Sequence, residues 1–228
     1  MHPARALPEQ LSTSVEDYLK TIYHLTEGGE VASTNAIAQR LGLAAPSVTG
    51  MIKRLAEQGL VRHAPYRGAE LTPQGRRAAL RTVRRHRILE AYLVGFLGYD
   101  WGNVHDEAEK LEHAVSDPLI ERMAQALGNP GFDPHGDPIP TPDGTIAEIV
   151  YTPLTELHEG PATIRRVQVE DAERLRYLAS VGLVPGADVV IVAHAPFAGP
   201  VTVRVGAETR VVGRELGDLV LCDQALAR

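Results

Sequence analysis

The strongest constraint on what this chain can fold into is a pair of short amphipathic segments joined by a short turn that opens with a glycine. Asn35-Ala-Ile-Ala-Gln-Arg-Leu41 follows Ser33-Thr34 and stops at Gly42; the stretch 45–58 follows and stops at Gly59. Two short helices joined by a tight glycine turn form a helix-turn-helix, and Pro46 fits a first helical turn, where its missing N–H costs nothing. Ahead of them, Val15, Tyr18, Leu19, Ile22, Tyr23 and Leu25 repeat at helical spacing, with Ser14 as an expected N-cap and Gly28-Gly29 as the stop. Behind them, Leu60-Val-Arg-His and Ala69-Glu-Leu-Thr read as two strands around a turn at 64–68. That order predicts a winged helix-turn-helix.

The second of the paired helices has an apolar side, Val48, Ile52 and Leu55, and a side of small or basic residues. Pro46, Ser47, Thr49 and Gly50 are small enough to let the helix enter a major groove. Lys53, Arg54, Arg62 and Arg67 are placed to meet phosphates. The other reading is an ordinary three-helix core with solvated charges. The net charge of −6 argues against nucleic acid only as an average. Residues 14–87 carry 12 Lys+Arg against 6 Asp+Glu, a net of +6, and residues 88–228 carry 10 against 22, a net of −12. A basic front half and an acidic back half imply separate tasks for separate domains.

The acidic half opens with histidines and glutamates at helical spacing. His86 and Glu90 are i, i+4 on a helix expected from about Pro73 to Leu97; His105, Glu109, Glu112 and His113 fall at i, i+4, i+7 and i+8 on the next helix. Val104, Ala108, Leu111 and Val115 form a separate apolar stripe. Imidazole with carboxylate and no thiolate suits borderline-to-hard divalent ions such as Mn(II) or Fe(II). The single cysteine, Cys222, lies far away in sequence and excludes an intrachain disulfide. An acidic face salt-bridged to the arginine-rich run 81–87 is the competing account, and a catalytic metal is a weaker one, because no nucleophile or phosphate loop accompanies the cluster.

With the winged helix, His86/Glu90 and the 105–113 cluster in this order, the sequence resembles the diphtheria toxin repressor family of metal-dependent transcriptional regulators. Tyr18-Leu-Lys-Thr-Ile-Tyr23, Arg85-His-Arg87 with Glu90, the run 104–108 through Glu112-His113, and Asp133-Pro-His-Gly-Asp-Pro-Ile-Pro140 carry the resemblance. It implies a homodimer that binds a double-stranded DNA operator, most often as a repressor of metal-uptake genes, with two metal sites per subunit. The primary site would use Asp17, Glu109, Glu112 and His113. The ancillary site would use His86, Glu90 and His105, completed from the C-terminal segment by Glu170 and Glu173, with Asp171 as a rival one residue away. The iron-sensing branch places methionine where this chain has Asp17 and cysteine where it has Glu109, so the sequence is similar to the Mn(II) branch, with Fe(II) as the alternative. Lys20 stands where some manganese members carry a second metal-binding glutamate.

Residues 128–145 hold five prolines and four glycines without helical periodicity and read as a linker or ordered loop, in which His135 is expected to face solvent or cap. Beyond 146, alternating runs at 163–169, 188–193, 201–205 and 209–212 predict about five short strands, with one helix at 170–178. They resemble the SH3-like domain at the end of many family members. Glu170, Asp171 and Glu173 equally suit the opening of that helix at its favourable N-terminus.

The fold class expected is therefore α+β and multi-domain: a winged helix-turn-helix (1–73), a helical dimerisation and metal-binding domain (74–145), and an SH3-like small β-barrel (146–228). The chain is expected to be cytoplasmic, with no membrane span, signal peptide or small-molecule substrate. The alternative from another class is a metal-binding enzyme or metal-handling protein whose helix-turn-helix is structural.

Overall fold

The computed structural model describes residues 11–27, 31–64, 68–169 and 171–224. The chain divides into two compact units, Met1–Arg85 with Pro140–Ile146, and His86–Ile139 with Ala147–Arg228.

The first unit holds α1 (Thr13–Glu27), α2 (Thr34–Leu41), α3 (Ala45–Glu57), β1 (Val61–Ala64), β2 (Gly68–Leu71) and the opening turns of α4 (Pro73–Leu97). Ser33 Oγ accepts from the Ala36 amide at 3.1 Å and starts α2, satisfying one of its unpaired first-turn donors. Gly42 ends α2 in the left-handed region at φ 64°, which glycine enters at little cost. α3 starts without a side-chain cap, relying on Pro46 in its first turn. Leu19, Ile22 and Tyr23 of α1, Ile37 of α2, Val48, Ile52 and Leu55 of α3, and Leu80 of α4 close one core. β1 and β2 pair antiparallel, Arg62 opposite Glu70 and His63 opposite Ala69, as a wing. α1 starts at Thr13 with the Ser12 carbonyl as its first acceptor, so Ser14 lies inside the first turn rather than capping it.

The second unit continues α4 from His86, followed by α5 (Val104–Leu111) and α6 (Asp117–Ala126). Ile88, Leu89, Ala108, Ile120, Ala124 and Ile139 form their core. The expected 105–113 helix is shorter than its periodicity implied. α5 ends at Leu111, Glu112 is its C-cap, and His113 lies in the turn that follows.

The remainder of this unit is a six-stranded antiparallel sheet in the order β3-β8-β4-β5-β6-β7, comprising β3 (Thr152–Pro153), β4 (Gly160–Val167), β5 (Asp188–His194), β6 (Val201–Val205), β7 (Glu208–Val212) and β8 (Val220–Asp223). α7 (Ala172–Ser180) and the four-residue α8 (Arg214–Gly217) complete it. Ile164, Leu175, Leu178, Leu183, Ile191, Val203 and Val220 lie in its core, where burial pushes the Cys222 thiol up to about 12. β3 and β8 escape the periodicity argument because two and four residues are too few to alternate. α7 begins two residues later than 170: Asp171 Oδ1 accepts from the Arg174 amide at 2.8 Å, the signature of an N-cap. No helix among the described residues is long and apolar enough to cross a membrane.

Candidate metal centre

Within the second unit, α4, α5 and the loop 128–139 converge on Glu90. The i, i+4 spacing stacks His86 over Glu90, with His86 Nε2 3.0 Å from Glu90 Oε1. From α5, His105 brings Nδ1 to 3.2 Å from the same oxygen and 3.1 Å from His86 Nε2. From the loop, His135 Nδ1 lies 3.7 Å from Glu90 Oε2. One buried carboxylate thus faces three imidazoles.

A second group adjoins it. His86 Nδ1 lies 2.6 Å from Glu112 Oε2, and the other oxygen of Glu112 is 3.3 Å from His113 Nε2. Glu109 Oε1 approaches His105 Nε2 at 3.7 Å. Glu112 caps α5 with helical backbone angles and an amide bond to the Ala108 carbonyl, so it continues the helix face of Ala108, and it is fully buried. Among the described residues of this unit, three sets of ligand atoms lie within 4.8 Å of one another: His86/Glu90/His105, His86/Glu109/Glu112 and Glu90/Asp133/His135.

The electrostatics are those of a cation site. Burial opposes the Glu90 charge, yet the hydrogen bonds of His105, His135 and His86 outweigh it and hold the carboxyl well below the usual carboxylate range. Asp133 moves the other way, pushed up to about 7 by burial and by the charges of Asp137 and Glu90, against the opposing pull of Arg87 and His135. Burial works against protonation of His135, but Glu90 and Asp133 raise it overall. The raised Asp133 and His135 each favour a bound proton in the place where a divalent ion would compensate these nitrogen and oxygen donors. The donor set holds no thiolate, since Cys222 sits in the sheet core, and so fits borderline-to-hard ions.

The structure brings His86, Glu90, His105, Glu109, Glu112 and His113 together. Asp17 is half-buried on α1, in the first unit. Glu173 is exposed on α7 and joins none of these ligand groups among the described residues, while Asp171 is engaged as the α7 cap. Glu170 lies outside the described residues. Asp133 and His135 are the residues that sequence reasoning missed. His135 is 6% exposed, neither solvated nor a cap, and its Nε2 lies 3.1 Å from the Trp101 carbonyl. The available signal was an Asp-x-His pair inside a proline-stiffened loop, but helical spacing cannot detect a partner as distant in sequence as Glu90.

On α3, Pro46, Ser47, Thr49, Gly50, Lys53 and Arg54 are all exposed, opposite the buried Val48, Ile52 and Leu55. Thr49 Oγ1 donates to the Ala45 carbonyl at 3.0 Å, so its methyl is what the helix presents. Arg62 is exposed on the wing; Arg67 lies outside the described residues.

A winged helix with a bare polar recognition face, combined with buried imidazole–carboxylate groups, defines a metal-responsive DNA-binding protein. Comparison with known proteins places it further. Residues 10–69 match the N-terminal DNA-binding domain of iron-dependent repressors, 72–141 their metal-binding and dimerisation domain, and 152–223 the FeoA domain. The iron-dependent repressor IdeR of Mycobacterium tuberculosis H37Rv is 34% identical over 226 residues, covering 92% of this chain and 97% of the relative. The diphtheria toxin repressor of Corynebacterium diphtheriae is 34% identical over 169 residues, covering 72% and 75%. A solved manganese-dependent transcriptional repressor in complex with manganese superposes with a TM-score of 0.82 at 41% identity, covering 91% of this chain and 98% of that one, and the manganese regulator SloR does so with 0.74 at 33%, covering 92% and 98%. The chain belongs to the diphtheria toxin repressor family of metal-dependent transcriptional repressors. Members of that family regulate transcription by binding DNA rather than by catalysis, which removes the enzyme reading.

Proposed function

We propose that this chain is a Mn(II)-activated repressor that binds its operator as a homodimer in the cytoplasm and controls metal uptake, with functional domains at 1–73, 74–145 and 146–228. The observation that carries the proposal is the buried Glu90 carboxylate facing His86, His105 and His135, an all-nitrogen-and-oxygen donor set. Glu109, Glu112 and His113 form the primary centre together with Asp17, whose part rests on the family pattern. His86, Glu90 and His105 form the ancillary centre, supported by Asp133 and His135, with Glu170 and Glu173 as further donors from the C-terminal segment.

Asp17 belongs to the DNA-binding domain and its three co-ligands to the dimerisation domain. Ligation by all four restrains the relative placement of the two recognition helices, and it favours the DNA-competent state only by its differential affinity for that state. Carboxylates at positions 17 and 109 favour Mn(II) over ions that prefer sulfur, and the manganese-dependent solved neighbours support the same reading. The iron-dependent names of the curated relatives support Fe(II) as the second reading.

The test is anaerobic DNA binding. A duplex is selected from a randomised pool with the Mn(II)-loaded chain, then titrated at controlled free Mn(II) or Fe(II) and at two salt concentrations. Mn(II)-dependent affinity that falls steeply with salt, through counterion release from phosphate, is expected. Equal or better activation by Fe(II) overturns the manganese assignment. Binding indifferent to either ion overturns the regulatory one.

A further inference from the structure

The loop bearing Asp133 and His135 is held from two sides, and one of them is the C-terminal sheet. Gly136 sits at φ 85° so close to β4 that a Cβ there would stand 1.9 Å from the Arg165 carbonyl oxygen. The Val167 amide donates to the His135 carbonyl at 2.9 Å. Between them, where β4 bulges past β8, Arg166 extends to Asp137 and places a guanidinium nitrogen 2.5 Å from its carboxylate.

From the other side comes the buried Arg87 of α4. It donates to the Pro138 carbonyl at 2.6 Å and to Asp137 Oδ1 at 3.2 Å, with Nε 3.6 Å from Asp133 Oδ2. Asp133 Oδ1 in turn accepts from the amides of His135 and Asp137 at 2.8 and 2.9 Å. The aspartate that faces Glu90 is therefore also the turn that fixes His135. Its geometry depends on Asp137, whose carboxylate is shared by two arginines.

We propose that Arg166 is a positioning residue: by holding Asp137 against β4 it sets the Asp133/His135 half of the cation centre, so the C-terminal sheet tunes cation affinity without contributing a ligand. This rests on the reading of Glu90, Asp133 and His135 as cation ligands. Two opposed effects follow from removing Arg166. Loss of a positive charge near the centre favours cation binding, and loss of loop position disfavours it. The Arg166 side chain is 19% exposed, so its charge is partly screened, whereas groups that orient metal ligands are typically worth 10–100-fold in affinity. Position wins.

The experiment is a Mn(II) titration of the full chain by calorimetry, comparing Arg166→Met, Arg166→Lys, Asp137→Asn and Asp133→Ala. Asp133→Ala identifies the component of the isotherm that needs the loop. The expected result is that Arg166→Met and Asp137→Asn both weaken that component about tenfold, that the double variant is no worse than either single one, and that Arg166→Lys recovers part of the loss. A purely electrostatic role would give opposite signs, tighter for Arg166→Met and weaker for Asp137→Asn, and would overturn the proposal; so would wild-type affinity in Arg166→Met. Should Arg166→Met fail to fold, judged by circular dichroism without metal, Arg166→Gln takes its place with the same two outcomes. An Asp133→Ala isotherm identical to wild type refutes the underlying ligand reading, whereas its loss together with an unaffected Arg166→Met refutes the positioning role alone.

Discussion

On α3, Pro46, Ser47, Thr49, Gly50, Lys53 and Arg54 fall within nine consecutive positions of one helix, and all six are exposed. Around Glu90, the side chains of His86, Glu112, Asp133 and His135 come from α4, the end of α5 and a loop, and every one is less than a tenth exposed. The recognition face stays solvated, so its readiness costs little. The buried cluster takes charges out of water, where each must find a partner; the three imidazoles around Glu90 and the proton favoured on Asp133 serve. The contrast locates the proposed sensor in the buried cluster, where a cation would displace bound protons, and the proposed DNA-reading face in solvent, where nothing in its surroundings need change with metal.

The largest expected effect breaks the sensor and spares the reader. Glu109→Ala removes a half-exposed carboxylate from the proposed primary centre, so it should leave the dimer folded while Mn(II)-stimulated DNA binding falls by about 100-fold or more, beyond what loss of an orienting group usually costs. Anisotropy with the selected duplex, together with sedimentation, checks both halves; unchanged affinity with Mn(II) present would sink the assignment.

The converse substitution touches the reader alone. Lys53→Ala should weaken binding uniformly across sequences and lower the slope of log affinity against log salt by about one, while the Mn(II) isotherm stays put. A changed isotherm would mean that the two regions are not separable in this way.

A third experiment sharpens the contrast through pH. The fold raises Asp133 from 3.8 to about 7, so the folded chain keeps a proton that the unfolded chain releases. Stability from this group is fully present below pH 4 and is lost as pH rises through 7. His135 is also raised, and its contribution fades as pH climbs through its folded value. Glu90 is depressed and acts with the opposite sign, its contribution being lost only as pH falls below about 4.5. Between pH 5 and 8 the metal-free chain should therefore lose stability, with a fall in Tm of at least ~3 °C for a chain of this size. Asp133→Asn should flatten that slope, and so should saturating Mn(II). A Tm that rises over the same range in metal-free wild type would contradict the cluster's electrostatics.

The smallest effect lies in the reader's scaffold. Ser33→Ala removes the cap of α2 and should cost about 1 kcal/mol of unfolding free energy in denaturant titration, with no change in metal affinity.

Legibility in the sequence follows the same contrast. The bounds of α4, Pro73–Leu97, and the apolar side of α3 were readable because 3.6-residue periodicity and glycine stops are local signals. His86/Glu90 and His105/Glu109 were readable for the same reason. Glu112 was readable on the same grounds: as the C-cap of α5 it keeps helical backbone angles and its amide bonds the Ala108 carbonyl, so the helical spacing still sets its direction. Asp133 and His135 were not legible as neighbours of Glu90 because their partners lie on other elements, and a loop's destination is set by tertiary contacts such as those to Arg166 and Val167. Strands β3 and β8 were lost to their shortness.

The most direct test of the central claim, that a buried cation cluster licenses an otherwise unchanging DNA-binding face, is the affinity of the wild-type chain for its selected duplex across a series of free Mn(II) concentrations at fixed salt. Affinity is expected to rise with Mn(II) occupancy of the cluster, to saturate with it, and to return to the metal-free level on chelation. The same high affinity in fully chelated protein would contradict it.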